Sequence, residues 1–91
     1  MNHNSYFEGK VQSLSLSSKG KSATIGVIMP GTYAFSTSTK ETMNIVSGSL
    51  VARVPGEAEK TYESGTFFIV PEGVKFEVEA KEDCAYLCIY G

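Results

Sequence analysis

Long apolar runs are missing from this 91-residue sequence. Nowhere do apolar residues approach the roughly 20 in succession that a membrane-spanning helix needs. No membrane partner is expected. A basic patch is missing too. Lys and Arg number 8 against 10 Asp and Glu, for a net charge of −2, and both signs are scattered along the chain. Proteins that neutralise nucleic-acid phosphates concentrate their cations, so no nucleic-acid partner is expected. Arg53 is the only arginine. A guanidinium suits bidentate phosphate binding, but a solvent-facing place on a strand is the plainer reading here. His3 is the only histidine. It has no neighbour to share a metal with and is expected in a frayed terminus.

Cysteine is scarce. Cys84 and Cys88 stand alone and do not form a Cys-x-x-Cys pair. Residues four apart on an extended strand are roughly 13 Å apart, whereas a disulfide needs Cα atoms within about 7 Å. A bridge within an extended segment is therefore not expected, and free thiols suit a reducing compartment. No histidine flanks either cysteine to generate a thiolate nucleophile, so both read as small buried hydrophobes. Residues 1–8 show neither a basic n-region nor an apolar h-region. A cytoplasmic protein is expected.

No segment repeats its apolar residues at helical spacing. They recur instead at spacing two, punctuated by Gly, Pro and Ser. Residues 10–16 alternate, with Leu14 and Leu16 on one face. Residues 23–29 alternate, with Ala23, Ile25, Val27 and Met29 together. Pro30-Gly31 is a turn signal. Residues 32–37 follow, with Tyr33 and Phe35 on one side. Ser47-Gly48-Ser49 reads as a hairpin turn between residues 42–46 and 50–54. Residues 60–62 read as a short strand that Glu63-Ser64-Gly65 turns into residues 66–70, which are apolar after the first and read as buried on both faces. Pro71-Glu72-Gly73 turns the chain into residues 74–79, and residues 84–90 make the last strand. Short strands at short intervals predict an all-β sandwich or barrel, with residues 1–91 as a single domain.

Two fragments narrow the choice. Gly65, Pro71 and Gly73 read G-x5-P-x-G, and Glu41 with Gly48 reads E-x6-G. Both resemble signature motifs of the cupin superfamily. The resemblance implies a cupin-like, antiparallel jelly-roll β-barrel. Metal-binding cupins place two His before that Glu and one His three residues after the last Gly. Here the first two places fall near Phe35 and Thr37, and the last is Phe76. No metal or other cofactor is expected.

Further strings run in order along the chain. They are Tyr6-Phe7-Glu8-Gly9-Lys10-Val11, the stretch from Gly31 to Thr37, Met43 to Leu50, Tyr62 to Gly65, and Tyr86-Leu87-Cys88-Ile89-Tyr90. Together they resemble the small cupin-fold pyrimidine/purine nucleoside phosphorylases of bacteria. That resemblance implies phosphorolysis, in which a nucleoside and inorganic phosphate give free base and pentose 1-phosphate. It also implies a homodimer, for which the aromatic Tyr6-Phe7 segment is a candidate to cross onto the partner. The family's last string often has a basic residue where this chain has Ile89.

Such chemistry asks for a flat apolar surface for the base, acceptors for ribose hydroxyls and donors for phosphate. Glu41 is a candidate catalytic carboxylate, and an exposed loop Glu is the competing reading. Thr37 is the second catalytic candidate, through its hydroxyl. Phe35 and Phe76 are candidates to hold the base in a slot, against plain core packing. Tyr33, Ser36 and Tyr86 complete the candidate substrate-binding set. A non-catalytic cupin that binds a sugar or nucleotide is the alternative function, since fold does not fix function.

Overall fold

The computed structural model describes residues 1–91. Ten antiparallel strands form two facing sheets, and no helix is present. Nine of the ten strands fall where alternation predicts them: β2 (Val11–Ser18), β3 (Lys21–Ile28), β4 (Gly31–Ser36), β5 (Glu41–Ser47), β6 (Ser49–Arg53), β7 (Lys60–Glu63), β8 (Phe67–Val70), β9 (Lys75–Ala80) and β10 (Cys84–Tyr90). The tenth, β1 (His3–Tyr6), lies in the segment expected to fray. Its sequence is polar and carries no alternation signal. It is held by pairing with β2, by His3 Nε2 and Gln12 Oε1 at 2.8 Å, and by Asn4, which donates to the Ser13 hydroxyl.

One sheet has six strands in the order β1-β2-β3-β10-β5-β8, and the other has four in the order β4-β9-β6-β7. Every paired ladder lies within one sheet. The expected barrel therefore takes the form of two apposed sheets that no ladder closes. The Ser47-Gly48-Ser49 hairpin is corrected in the same way, because β5 and β6 lie in different sheets. Gly48 makes this corner with φ +80°, and a Cβ there would stand 2.5 Å from the Asp83 carbonyl oxygen. Only glycine meets both conditions cheaply.

Sixteen buried side chains from both sheets make one core, with Leu50, Val70, Val78 and Cys84 fully enclosed. The six-stranded sheet inverts the expected polarity. Ile25, Val27 and Met29 face outward, as do Leu14 and Leu16. Phe67 and Ile69, expected to be buried, are 56% and 45% exposed. Ser13, Thr24 and Gly26 take the inner face instead. Small and polar residues inside, with branched apolar ones outside, leave a hollow between the sheets.

Candidate functional site

The hollow is a cavity of about 300 Å³, at the lower end of the range typical of small-molecule sites. Its four-stranded wall is Phe35, Phe76 and Val78. Its six-stranded wall is Ser13, Ile28, Met43, Tyr86, Cys88 and Tyr90. Tyr6, Ser36, Ser38 and Glu41 complete the lining.

Strand periodicity assembles each wall. Residues 86, 88 and 90 share the inner face of β10, as spacing two requires. Cys88 pairs with Thr24 on β3 and Met43 on β5, and Tyr90 pairs with Glu41. A β-bulge between Ala85 and Tyr86 shifts the β10–β5 register just before Tyr86 enters the cavity wall, and bulges commonly re-aim side chains in this way. Gly26 makes room for that ring. A Cβ at position 26 would lie 2.7 Å from Tyr86 Cζ and Oη and 2.7 Å from the Gln12 carbonyl oxygen.

On the opposite wall Phe35 and Phe76 are direct cross-strand partners, with ring centroids 5.9 Å apart and planes 34° apart. A base slipped between two rings needs roughly 7 Å, twice a carbon–carbon contact distance. The two phenylalanines are therefore one continuous aromatic wall, not the two sides of a slot. Phe7 extends this surface, meeting Phe35 edge-on at 5.5 Å and Tyr33 at 5.0 Å. Within this chain, then, the Tyr6-Phe7 segment folds onto its own cavity. Phe7 and Glu8 hold positive φ angles of 53° and 58° to do so, a conformation that bulky residues rarely adopt.

Glu41 is the only charged side chain in the lining, and it is half-buried. Burial raises its carboxyl pKa, and a hydrogen bond from the Cys88 thiol offsets part of that rise. The Tyr90 hydroxyl lies 3.2 Å from Thr24 Oγ1, and desolvation raises the pKa of both Tyr86 and Tyr90. No cation lines the cavity.

Two candidates sit elsewhere. Thr37 is buried, but its hydroxyl donates to the Pro71 carbonyl oxygen at 2.6 Å and accepts from the Val74 amide at 3.1 Å. It ties the end of β4 to the β8–β9 turn and does not line the cavity. The Tyr33 hydroxyl donates to the Met29 carbonyl oxygen at 2.8 Å, so Tyr33 supports the Pro30 turn and likewise lies outside the lining. Arg53 is gripped by Glu59, Glu77 and Glu79. Ile89 falls on the opposite face of β10 from Cys88, so a basic residue at that position would point away from this cavity. Cys88, read from sequence as a small buried hydrophobe, does line it, and so does Tyr90 on the same face of β10. Tyr6 was not legible because β1 was not, and Ser13 because it takes the inner face of β2 that Leu14 and Leu16 were expected to hold.

The family model described as pyrimidine/purine nucleoside phosphorylase matches residues 1–90. This chain belongs to the pyrimidine/purine nucleoside phosphorylase family. Curated relatives of that name include one from Alcanivorax borkumensis, 45% identical over 97% of this chain and 95% of its own. Another, from Marinobacter nauticus, is 46% identical over 97% of this chain and 96% of its own. A crystal structure of a protein of unknown function from Vibrio parahaemolyticus superposes with TM-score 0.93 at 43% identity, covering 99% of this chain and 97% of that one. A cupin-2 domain protein from Shewanella frigidimarina superposes with TM-score 0.68 at 17% identity, covering 94% of this chain and 80% of that one. That likeness is one of fold alone, and it makes the fold of this chain cupin-like.

Proposed function

We propose that this chain cleaves purine and pyrimidine nucleosides with inorganic phosphate in the cavity between its sheets, releasing free base and pentose 1-phosphate. Family membership carries the reaction. The carboxylate set into an otherwise uncharged, aromatic-walled cavity supports this location for it.

The transition state is oxocarbenium-like at the sugar, while negative charge moves onto the departing base. The wall of Phe35 and Phe76 stacks one face of the base. Apolar contact discriminates weakly between bases, unlike a buried polar edge, and this suits a site that takes both classes. Glu41 accepts from the ribose hydroxyls and lies near the developing positive charge. Phosphate enters beside Ser36 and Ser38, whose hydroxyls can donate to it. Tyr86 closes the far wall. Thr37 acts indirectly, by fixing the segment that carries those serines. Tyr33 does the same for the start of β4.

In this reading phosphate is a co-substrate and no metal cofactor takes part, since aromatic rings and a tied-down threonine occupy the motif positions that carry imidazoles in metal-binding cupins. Turnover is expected to survive exhaustive chelation. Loss on chelation with recovery on adding one divalent metal would overturn this part.

The single core supports residues 1–91 acting as one cupin-like domain, with the sheets jointly enclosing the cavity as a jelly-roll barrel does. The two free, buried cysteines suit the cytoplasm.

The outer face of the six-stranded sheet supports a homodimer. A row Leu14–Ile25–Leu87–Asn44–Phe67 crosses five strands in register and includes no charged residue. Five strands at about 4.8 Å spacing and six residues at about 3.3 Å rise span roughly 450–500 Å² in plan. Contoured by side chains, that approaches the ~800 Å² a standard interface buries per partner. A twofold axis through one face brings the same apolar patch onto itself. Leu87 lies at the centre of that row. Leu87→Glu is expected to convert a dimer into a folded monomer in sedimentation, because it buries two carboxylates face to face. A dimer that persists in Leu87→Glu would place the interface elsewhere.

A further inference from the structure

The geometry points to Cys88 as the positioning residue for Glu41, its thiol donating to Oε1 and leaving Oε2 free for the ribose hydroxyls. This rests on the proposed role of Glu41 above. Cys88 Sγ lies 3.5 Å from Glu41 Oε1 and is the only protein group hydrogen-bonded to that carboxylate. The donor is rigidly held. Cys88 is 2% exposed, and its strand is laddered on both sides, to Thr24 and to Met43. Glu41, by contrast, is the first residue of β5 and only half-buried.

A thiol suits this task. It is a weak donor that occupies the volume of a small hydrophobe. It can therefore fix one carboxylate oxygen without saturating the acceptor that the substrate needs. A strongly bound carboxylate would have less to gain from the ribose. Burial and the neighbouring carboxylate also keep the thiol protonated, so it remains a donor whenever Glu41 is ionised.

The other titratable groups facing the cavity beside Glu41 are Tyr86 and Tyr90 from β10 and Tyr6 from β1. Burial raises the pKa of the first two, which stay protonated in the working range. The remaining elements present Phe35, Phe76, Val78, Ile28 and Met43, which do not titrate. Lys40 precedes Glu41 in the chain and is exposed.

The test compares Cys88→Ala with Cys88→Ser, using two readouts. The first is the Glu41 carboxyl titration followed by carbon NMR, which needs no turnover. The second is the acid limb of kcat/KM against pH. Removing the donor should move both to higher pH by about half a unit to one unit in Cys88→Ala. Cys88→Ser should bring both back to the wild-type position or below. A shifted NMR titration in a protein with no phosphorolysis would uphold the Cys88–Glu41 contact and overturn the catalytic reading. Superimposable titrations of wild type and folded Cys88→Ala would overturn the positioning role and leave Cys88 as core packing.

Discussion

Glu41→Gln is expected to lose roughly 10- to 100-fold in turnover, the equivalent of one charge-assisted hydrogen bond made in the transition state. The fold should survive. Gln keeps the shape and can still accept from one ribose hydroxyl, but it offers no negative charge to an oxocarbenium-like sugar. Stability should move the opposite way to activity. The folded-state pKa of Glu41 is raised, chiefly by burial, so the folded protein bears a cost whenever the group is ionised. Below the unfolded value of about 4.3 the carboxyl is protonated in both states and the cost is absent. It grows as pH rises through the folded pKa and is complete above it. Glu41→Gln should therefore match wild type in acid-side melting and equal or exceed it at pH 7. A variant destabilised at pH 7 would show that the carboxylate is a structural contact. Wild-type turnover in the folded variant would remove Glu41 from the chemistry.

Phe76→Ala should have the largest effect on the fold. The ring is 4% exposed, lies against Phe35 and belongs to the central core. Removing a buried phenylalanine costs about 3–5 kcal/mol, a large share of the ~5–15 kcal/mol that keeps a domain folded. Denaturant unfolding should show that loss, and activity must be normalised to the folded fraction. In the folded fraction, purine nucleosides should lose more than pyrimidine nucleosides, because the larger ring forfeits more stacking area on the Phe35–Phe76 wall. Equal losses on both classes would leave Phe76 as core packing without contact to the base. Phe35→Ala separates the two roles further. Phe35 is only half-buried, so its loss should cost less stability while removing the other half of the wall.

The strands were legible because alternation and turn residues report them locally. The faces were not. Ile25, Val27 and Met29 carry the periodicity of a core face, yet they point outward, while Ser13, Thr24 and Gly26 point in. Alternation in a strand that is apolar on both faces does not report which face meets the core. Period two specifies alternation, not direction. The corner at Gly48 failed for a related reason, since a turn signal does not reveal whether the next strand returns to the same sheet. At the site, Glu41, Phe35 and Phe76 were found because motif spacing marks them. Tyr86 followed from strand parity, and Ser36 from the run of hydroxyl residues at the end of its strand. Thr37 and Tyr33 share that parity or spacing, but their hydroxyls go to the Pro71 and Met29 carbonyl oxygens, partners that only tertiary structure supplies. Tyr6 depended on pairing of a polar strand with no hydrophobic signature, and Ser13 on which face of β2 turns inward.

The most direct measurement of the account is product analysis of guanosine and uridine incubated with the purified protein, with and without inorganic phosphate. The account predicts free base from both nucleosides only when phosphate is present, with pentose 1-phosphate formed in equal amount. Base released without phosphate, or nucleoside bound and recovered intact with phosphate present, would contradict it.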